Sequence, residues 1–144
     1  MKLADCELCS SDGGLIVLAN EWLRVALVDE PDYPGYVRVI WNDHVREMSE
    51  LDDEQRMRLM RTVFAVESAQ REVLIPHKIN LASLGNMTPH LHWHLIARFT
   101  DDLHYPRPVW GAPQRTTDEQ MLQARRALVN RLREVIAENV SRVI

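Results

Sequence analysis

The run His90-Leu91-His92-Trp93-His94-Leu95-Ile96-Ala97 alternates imidazole and apolar side chains before it becomes wholly apolar. Strict alternation is the period of a β-strand, on which successive side chains point to opposite faces. The spacing predicts a strand over His90 to Ala97, with three imidazoles on one face and Leu91, Trp93 and Leu95 on the other. Three of the six histidines of the chain fall within the five residues His90 to His94. Imidazole trades protons near neutral pH, binds metals and attacks phosphorus. A row of three on one strand face therefore points to chemistry.

Other segments arrange themselves around that strand. Leu15 to Leu18, Trp22 to Val28, Tyr36 to Trp41 and Lys78 to Leu84 read as four more strands. Asn20-Glu21 turns the first pair into a hairpin, and Asp29 to Gly35, with two prolines and a glycine, is a loop. A long helix is expected from about Asp52 to Leu74, with Ser49 and Asp52 as a capping signal and Pro76 as its stop. Met57, Met60, Val63, Phe64 and Ala69 through Val73 share one side of it, while Arg56, Arg58 and Arg61 read as a solvated face. An irregular segment with Pro106, Pro108, Gly111 and Pro113 follows the histidine strand. A last helix is expected near Thr116, with Glu119 completing a capping box and a stripe of Leu122, Leu128, Val129, Leu132, Val135 and Ile136. These elements imply an α+β fold: a five-stranded, mainly antiparallel sheet with two main helices. One domain spans residues 1–144, with its core in 1–100 and a C-terminal loop and helix in 101–144.

Composition narrows the function classes. Hydrophobic content of 46% with 26% charged residues fits a soluble globular protein. Seventeen basic against 21 acidic residues give a net charge of -4, which argues against nucleic-acid binding but permits a small anionic ligand held by local cations. Leu15 to Ala19 is among the longest apolar runs, far short of a membrane span. The first residues, Met1 to Cys6, lack a signal-peptide core, so the default compartment is the cytosol, where two cysteines stay reduced.

Spacing along the strand separates the chemistries open to the row. Alternate residues lie about 6.6 Å apart, so His90 and His94 are roughly 13 Å apart along the backbone. A metal bonds nitrogen at about 2.0–2.1 Å, so one ion could be shared by two neighbours but hardly by three. Three readings remain: a metal held by two of the histidines with further ligands elsewhere, satisfied structural histidines, or nucleophilic catalysis. In the third, one imidazole attacks and its neighbours orient it. Three in register, flanked by apolar residues, favour the third.

His90-Leu91-His92-Trp93-His94-Leu95-Ile96 fits the pattern His-φ-His-φ-His-φ-φ, with φ apolar, and resembles the motif of the histidine-triad (HIT) superfamily of nucleotide hydrolases and transferases. The likeness extends to Asp29 before a Pro-containing loop, Pro34-Gly35 leading into a strand, His44 after it and Gly85-Asn86 upstream of the triad, covering residues 5 to about 100. It implies that His92 attacks the α-phosphorus of a nucleotide conjugate, that His90 and backbone orient it, and that His94 contacts phosphate. It places Asn86 and Thr88 near the phosphates, Asn80 loosely at a phosphate-side amide position, and Asp29 at the ribose hydroxyls. Dinucleoside polyphosphates, as in diadenosine polyphosphate hydrolases, and nucleoside phosphoramidates are the substrate classes it suggests, with a homodimer as the assembly and no cofactor needed for catalysis. Two departures bear on the chemistry: Tyr36 stands where the family usually has histidine, and Met87 where serine or threonine is common.

Cys6-x-x-Cys9 has the spacing of half a zinc site, and no second such pair exists. In some relatives the set corresponding to Cys6, Cys9, His44 and His90 holds a structural zinc beside the active site. Two other functions stay open at this stage: a nucleotide-binding regulator with little turnover, which Tyr36 and Met87 would allow, and a zinc-dependent hydrolase using the histidines directly.

Overall fold

The computed structural model describes residues 1–144. Its elements run α1 (Glu7–Ser10), β1 (Leu15–Ala19), β2 (Leu23–Leu27), β3 (Val37–Trp41), α2 (Asp53–Leu74), β4 (Lys78–Ala82), β5 (His92–Arg98), α3 (Glu119–Arg126) and α4 (Val129–Ser141), with a 3-10 turn at Met48–Glu50. The strands form one five-stranded sheet in the order β1-β2-β3-β5-β4, antiparallel at every pairing. The fold is α+β. No helix is long and apolar enough to cross a membrane.

Alternation along the strands makes two unlike faces. Val25, Val37, Val39, Leu95 and Ala97 are buried in the main core together with Leu59, Val63 and Val66 of α2 and Leu132, Val135 and Ile136 of α4. Leu91 and Trp93 belong to that side. On the other face Ala26 and Ile40 pack with Cys6 and Leu8, and Ile96 packs with Tyr33 and Tyr36. His92 and His94 lie on this second face, between the two small clusters.

Several local expectations are corrected. Residue β-strand limits shrink: β5 starts at His92, because Pro89 precedes His90 and the His90 N–H turns back to the Thr88 carbonyl (2.8 Å). β4 ends at Ala82. The cap of α2 is Asp52, which accepts from the Gln55 N–H while Gln55 returns the bond; Ser49 is spent in the preceding 3-10 turn. Met57 and Phe64 are 53% and 52% exposed. Each sits two positions, about 200° of helix rotation, from a core residue, Leu59 or Val66. The last helix is two helices broken at Ala127–Leu128, and its cap is Asp118, accepting from the Gln120 N–H, with Thr116 outside it. The break turns Leu128 outward and leaves α4 to carry the stripe that meets α2.

One buried polar side chain ties helix to sheet. The Gln70 amide donates to the Gly35 carbonyl and to the Leu95 carbonyl, both at 2.9 Å. It thereby anchors the entry to β3 and the middle of β5 to the same turn of α2. Gln70→Leu keeps the volume but strips two buried carbonyls of their donor. It is expected to lower unfolding stability by about 1–3 kcal/mol in urea titration, and an unchanged midpoint would show that the amide does not hold these strands.

Candidate active site and metal-ligand cluster

The second face of β5 opens into a hollow of about 450 Å³ lined by Arg38, the turn of residues 84–88, His92, His94 and Trp110. The β3–β5 register sets its floor: Arg38 lies opposite His94, and Ile40 opposite His92. Gly85, at φ +80, makes the turn that brings Asn86 and Thr88 to the rim; that backbone region favours glycine. No carboxylate lines the hollow.

Hydrogen bonds assign the protons on the imidazoles. His92 Nδ1 lies 2.5 Å from the His90 carbonyl oxygen, which can only accept, so Nδ1 carries a proton. Burial lowers the pKa of His92, against the pull of that carbonyl, so the ring is neutral near pH 7 and Nε2 holds the lone pair. His94 Nε2 is 3.0 Å from it and must be the donor. His94 Nδ1 is then an acceptor, and the Tyr36 hydroxyl, 2.5 Å away, donates to it. Burial, then the neighbouring His92 and Arg38, push the His94 pKa down to about 3. Burial raises that of Tyr36. The chain of donors runs Tyr36 to His94 to His92 to the His90 carbonyl.

His90 faces away from this hollow. Its Nε2 donates to the Trp41 carbonyl at 2.6 Å, which leaves a lone pair on Nδ1. That nitrogen is 3.5 Å from the sulfurs of both Cys6 and Cys9, and His44 Nδ1 is 3.4 Å from Cys9 Sγ. One ligand atom from each of the four residues lies within 4.8 Å of every other. Tetrahedral bonds of about 2.3 Å to sulfur and 2.0–2.1 Å to nitrogen would separate S and N by about 3.6 Å. The residues therefore fit a metal ion, with the Trp41 carbonyl fixing the His90 tautomer from behind. The strand expectation is corrected here: the first histidine of the row belongs to a second cluster, and only its backbone carbonyl touches His92.

Asn86 and Thr88 lie on the hollow, and Met87 is 95% exposed beside them. Asn80 and Asp29 do not line it. The Asn80 oxygen accepts from Arg98 Nη1 at 2.7 Å. Asp29 lines a different hollow with Pro34 and Arg126. Arg98 also makes a two-point ion pair with Asp102 (2.7 and 3.1 Å), and both are almost wholly buried. Burial pushes the Asp102 carboxyl up, but Arg98 and backbone N–H donors outweigh it and hold the pKa below its usual value. This pair, with Arg98 Nη2 on the Arg107 carbonyl, straps down the irregular segment that carries Trp110, whose ring centroid is 5.2 Å from that of His94.

Arg38 and Trp110 escaped the sequence reading. Arg38 had a signal: it alternates with Tyr36 along β3 and so shares its face. Trp110 had none, since its segment has no period.

Buried neutral histidines make stability depend on pH. The unfolded chain protonates them below about pH 6.5 and the folded chain does not, so stability falls as pH drops, for His94 down to about 3. The slope is at most about 1.4 kcal/mol per pH unit for each histidine. Asp102, with its lowered pKa, loses its contribution only beneath its usual carboxylate range. Between pH 6.5 and 4.5 the urea midpoint is expected to fall, and to fall less steeply in His94→Gln. A wild-type midpoint flat over that window would contradict the assignment of neutral rings.

Comparison with known proteins agrees with this architecture. The HIT domain family matches residues 14–101. A histidine triad protein from Bradyrhizobium japonicum is 27% identical, with a TM-score of 0.71 over 90% of this chain and 92% of that one. A histidine triad protein from Marinobacter aquaeolei VT8 is 25% identical, with a TM-score of 0.73 over the whole of both chains. A Zn-bound histidine triad family protein from Mycobacterium smegmatis, 19% identical, shares the fold at a TM-score of 0.63 over 96% of this chain and 97% of that one. A search of curated proteins found no match. The family match spans more than half of the 144 residues and ends just past the histidine strand, and the chain belongs to the HIT domain family.

Proposed function

We propose that this protein is a nucleotide hydrolase or transferase acting at the α-phosphate of a nucleotide conjugate, with His92 as the covalent nucleophile. One observation carries the reading: His92 Nδ1–H donates to the His90 carbonyl, which leaves the lone pair on Nε2, on the side of the hollow beside His94. In the first step a bond forms between Nε2 and the α-phosphorus. The bond to the leaving group breaks and its electron pair departs with that group. The ring then carries positive charge, which the Nδ1–H bond to the carbonyl stabilises. In the second step water attacks phosphorus and the P–N pair returns to Nε2. One water proton stays on the nucleoside monophosphate and the other goes to solvent. His94, once its Nε2–H is released from His92, donates to a phosphate oxygen, with Asn86 and Thr88 at the rim as further contacts. Dividing one displacement into two lowers each barrier.

Cys6, Cys9, His44 and His90 are read as a structural zinc site, supported by their spacing and by the Zn-bound relative. Four protein ligands leave no open position, so the metal would brace His90 rather than act on substrate. The same reading takes the protein as a cytosolic homodimer that handles a small nucleotide, in keeping with a net charge of -4.

The test uses single turnover with label on the α-phosphate, quenched in base. Label is expected on wild-type protein and not on His92→Ala, whose turnover should fall by about 10³-fold or more, roughly 4 kcal/mol of barrier. Wild-type rates in His92→Ala would end the mechanism; binding with no release by wild type would make the protein a nucleotide-binding regulator. For the metal, elemental analysis without chelator should give about one zinc per chain, and chelation should lower the melting temperature. Cys9→Ser should lose the metal. A metal-free wild type that melts identically with chelator would remove zinc from the account.

A further inference from the structure

From Phe99 to Asp118 the chain forms neither strand nor helix. Irregular stretches of that length are uncommon in a compact domain and usually carry function. This one is fastened at its root. The buried Asp102 carboxylate accepts two bonds from Arg98, one from the Tyr33 hydroxyl (3.2 Å), and one each from the backbone N–H groups of Phe99, His104 and Tyr105. The strap is then clamped on both sides of its tip. Arg98 Nη2 donates to the Arg107 carbonyl at 2.7 Å, and Arg115 Nη1 to the carbonyls of Asp102 and Tyr105 at 2.7 and 2.5 Å. Between these clamps residues 108–113 make one backbone–backbone hydrogen bond, from the Gly111 N–H to the Pro108 carbonyl. The tip they form carries Trp110.

Covering the core does not account for that indole. Leu103 and Val109 of the strap pack on Tyr33, Tyr36 and Ile96 and close that cluster. Trp110 is 52% exposed and meets His94 edge-on, with ring centroids 5.2 Å apart and planes at 71°. Both nitrogens of His94 are already engaged, Nδ1 by the Tyr36 hydroxyl and Nε2 by His92. The indole adds an apolar contact to this ring, which is only 6% exposed although it lines the hollow. The titratable and charged groups facing His94 are His92 on β5, and Tyr36 and Arg38 at the start of β3. Trp110 brings none.

We propose that Trp110 is a positioning residue for His94, held in place by the strap rooted in the buried Arg98–Asp102 pair, and that it keeps water off the His94 ring and its Nε2–H turned toward His92. The proposal rests on the reading of His92 as nucleophile, in which His94 passes its Nε2–H from His92 to a phosphate oxygen. Trp110 forms no bond to substrate and moves no proton. Without the indole, water reaches His94 and competes for both of its nitrogens, and the ring is free to turn.

The test compares wild type with Trp110→Ala, Trp110→Phe, Asp102→Asn and Arg115→Gln, each first shown to unfold cooperatively. Two readouts need no substrate. Nitrogen-15 NMR of the histidine rings gives the His94 tautomer and its titration, assigned by the signals lost in His94→Gln. Fluorine NMR of protein labelled with 5-fluorotryptophan follows Trp110, assigned by the line lost in Trp110→Phe. Trp110→Ala should mix the His94 tautomers at neutral pH and move its titration up by about one pH unit or more, while Trp110→Phe, which keeps a ring there, stays near wild type. Asp102→Asn and Arg115→Gln should shift the Trp110 line toward that of an exposed indole and move His94 in the same direction. If Asp102→Asn fails to fold, Arg115→Gln, which removes only the outer clamp, decides. On diadenosine tetraphosphate, kcat should fall at least tenfold in Trp110→Ala with KM changed less than threefold, and Asp102→Asn added to Trp110→Ala should lower kcat no further. An unchanged His94 tautomer in Trp110→Ala would overturn the proposal. So would equal effects of the Ala and Phe variants, or strap variants that lose stability yet leave the Trp110 and His94 signals in place. A wild type that turns over no conjugate ends the hydrolase reading alone, and the two NMR readouts still decide whether Trp110 positions His94.

Discussion

A slip of one residue between β3 and β5 would dismantle both clusters at once. In the observed register Arg38 faces His94 and Ile40 faces His92, while Val37 and Val39 point into the core opposite Leu95 and Trp93. Because side chains alternate, the slipped pairing would turn Arg38 inward among fully buried aliphatics and turn Val37 out to the hollow. An unpaired guanidinium in that core would be strongly unfavourable. The burial of Val37, Val39 and Leu95 therefore holds the register, and Gln70 reinforces it by bonding Gly35 and Leu95 from the same helical turn. The core pattern on one face is what places the polar residues on the other.

Given that register, the protons follow almost without freedom. Two backbone carbonyls, of His90 and Trp41, each capture one ring nitrogen, and everything between them is assigned by donors needing acceptors. His90 serves both clusters with different atoms. Its ring nitrogen meets the cysteines, and its carbonyl orients His92. The two clusters thus meet in one residue.

Much of this was legible from alternation and punctuation. The five strands, the long helix ending before Pro76, the turn at Asn20 and the family all follow from period, turn residues and motif. The set Cys6, Cys9, His44 and His90 was reachable only by resemblance, since its members come from three separate stretches of chain. What failed had local causes. The histidine row looked like one strand because alternation says nothing about a turn imposed by Pro89. Met57 and Phe64 looked like core because apolar residues on a helix are common outside the buried stripe. The break at Ala127–Leu128 carries no glycine or proline to announce it. Position along the chain puts Asn80 near the phosphates, and only the fold reveals that Arg98 already holds its oxygen.

Tyr36 and Met87, the two departures from the family pattern, make sense together once the proton chain is drawn. A histidine at position 36 could present either a donor or an acceptor to His94, and could itself gain a proton near neutral pH. A buried phenol, with its pKa raised, keeps its hydrogen and donates it, so the orientation of His94 Nε2–H toward His92 does not change with pH over the physiological range. The Tyr36 proton is thereby committed to His94, and Met87 beside the hollow has none to give. The hollow is lined by neutral rings, polar side chains and one guanidinium and by no carboxylate, a lining that favours an anionic over a cationic ligand. Donors held in place by the fold need little reorganisation to meet charge, which is where a buried, hydrogen-bonded site has its advantage over water.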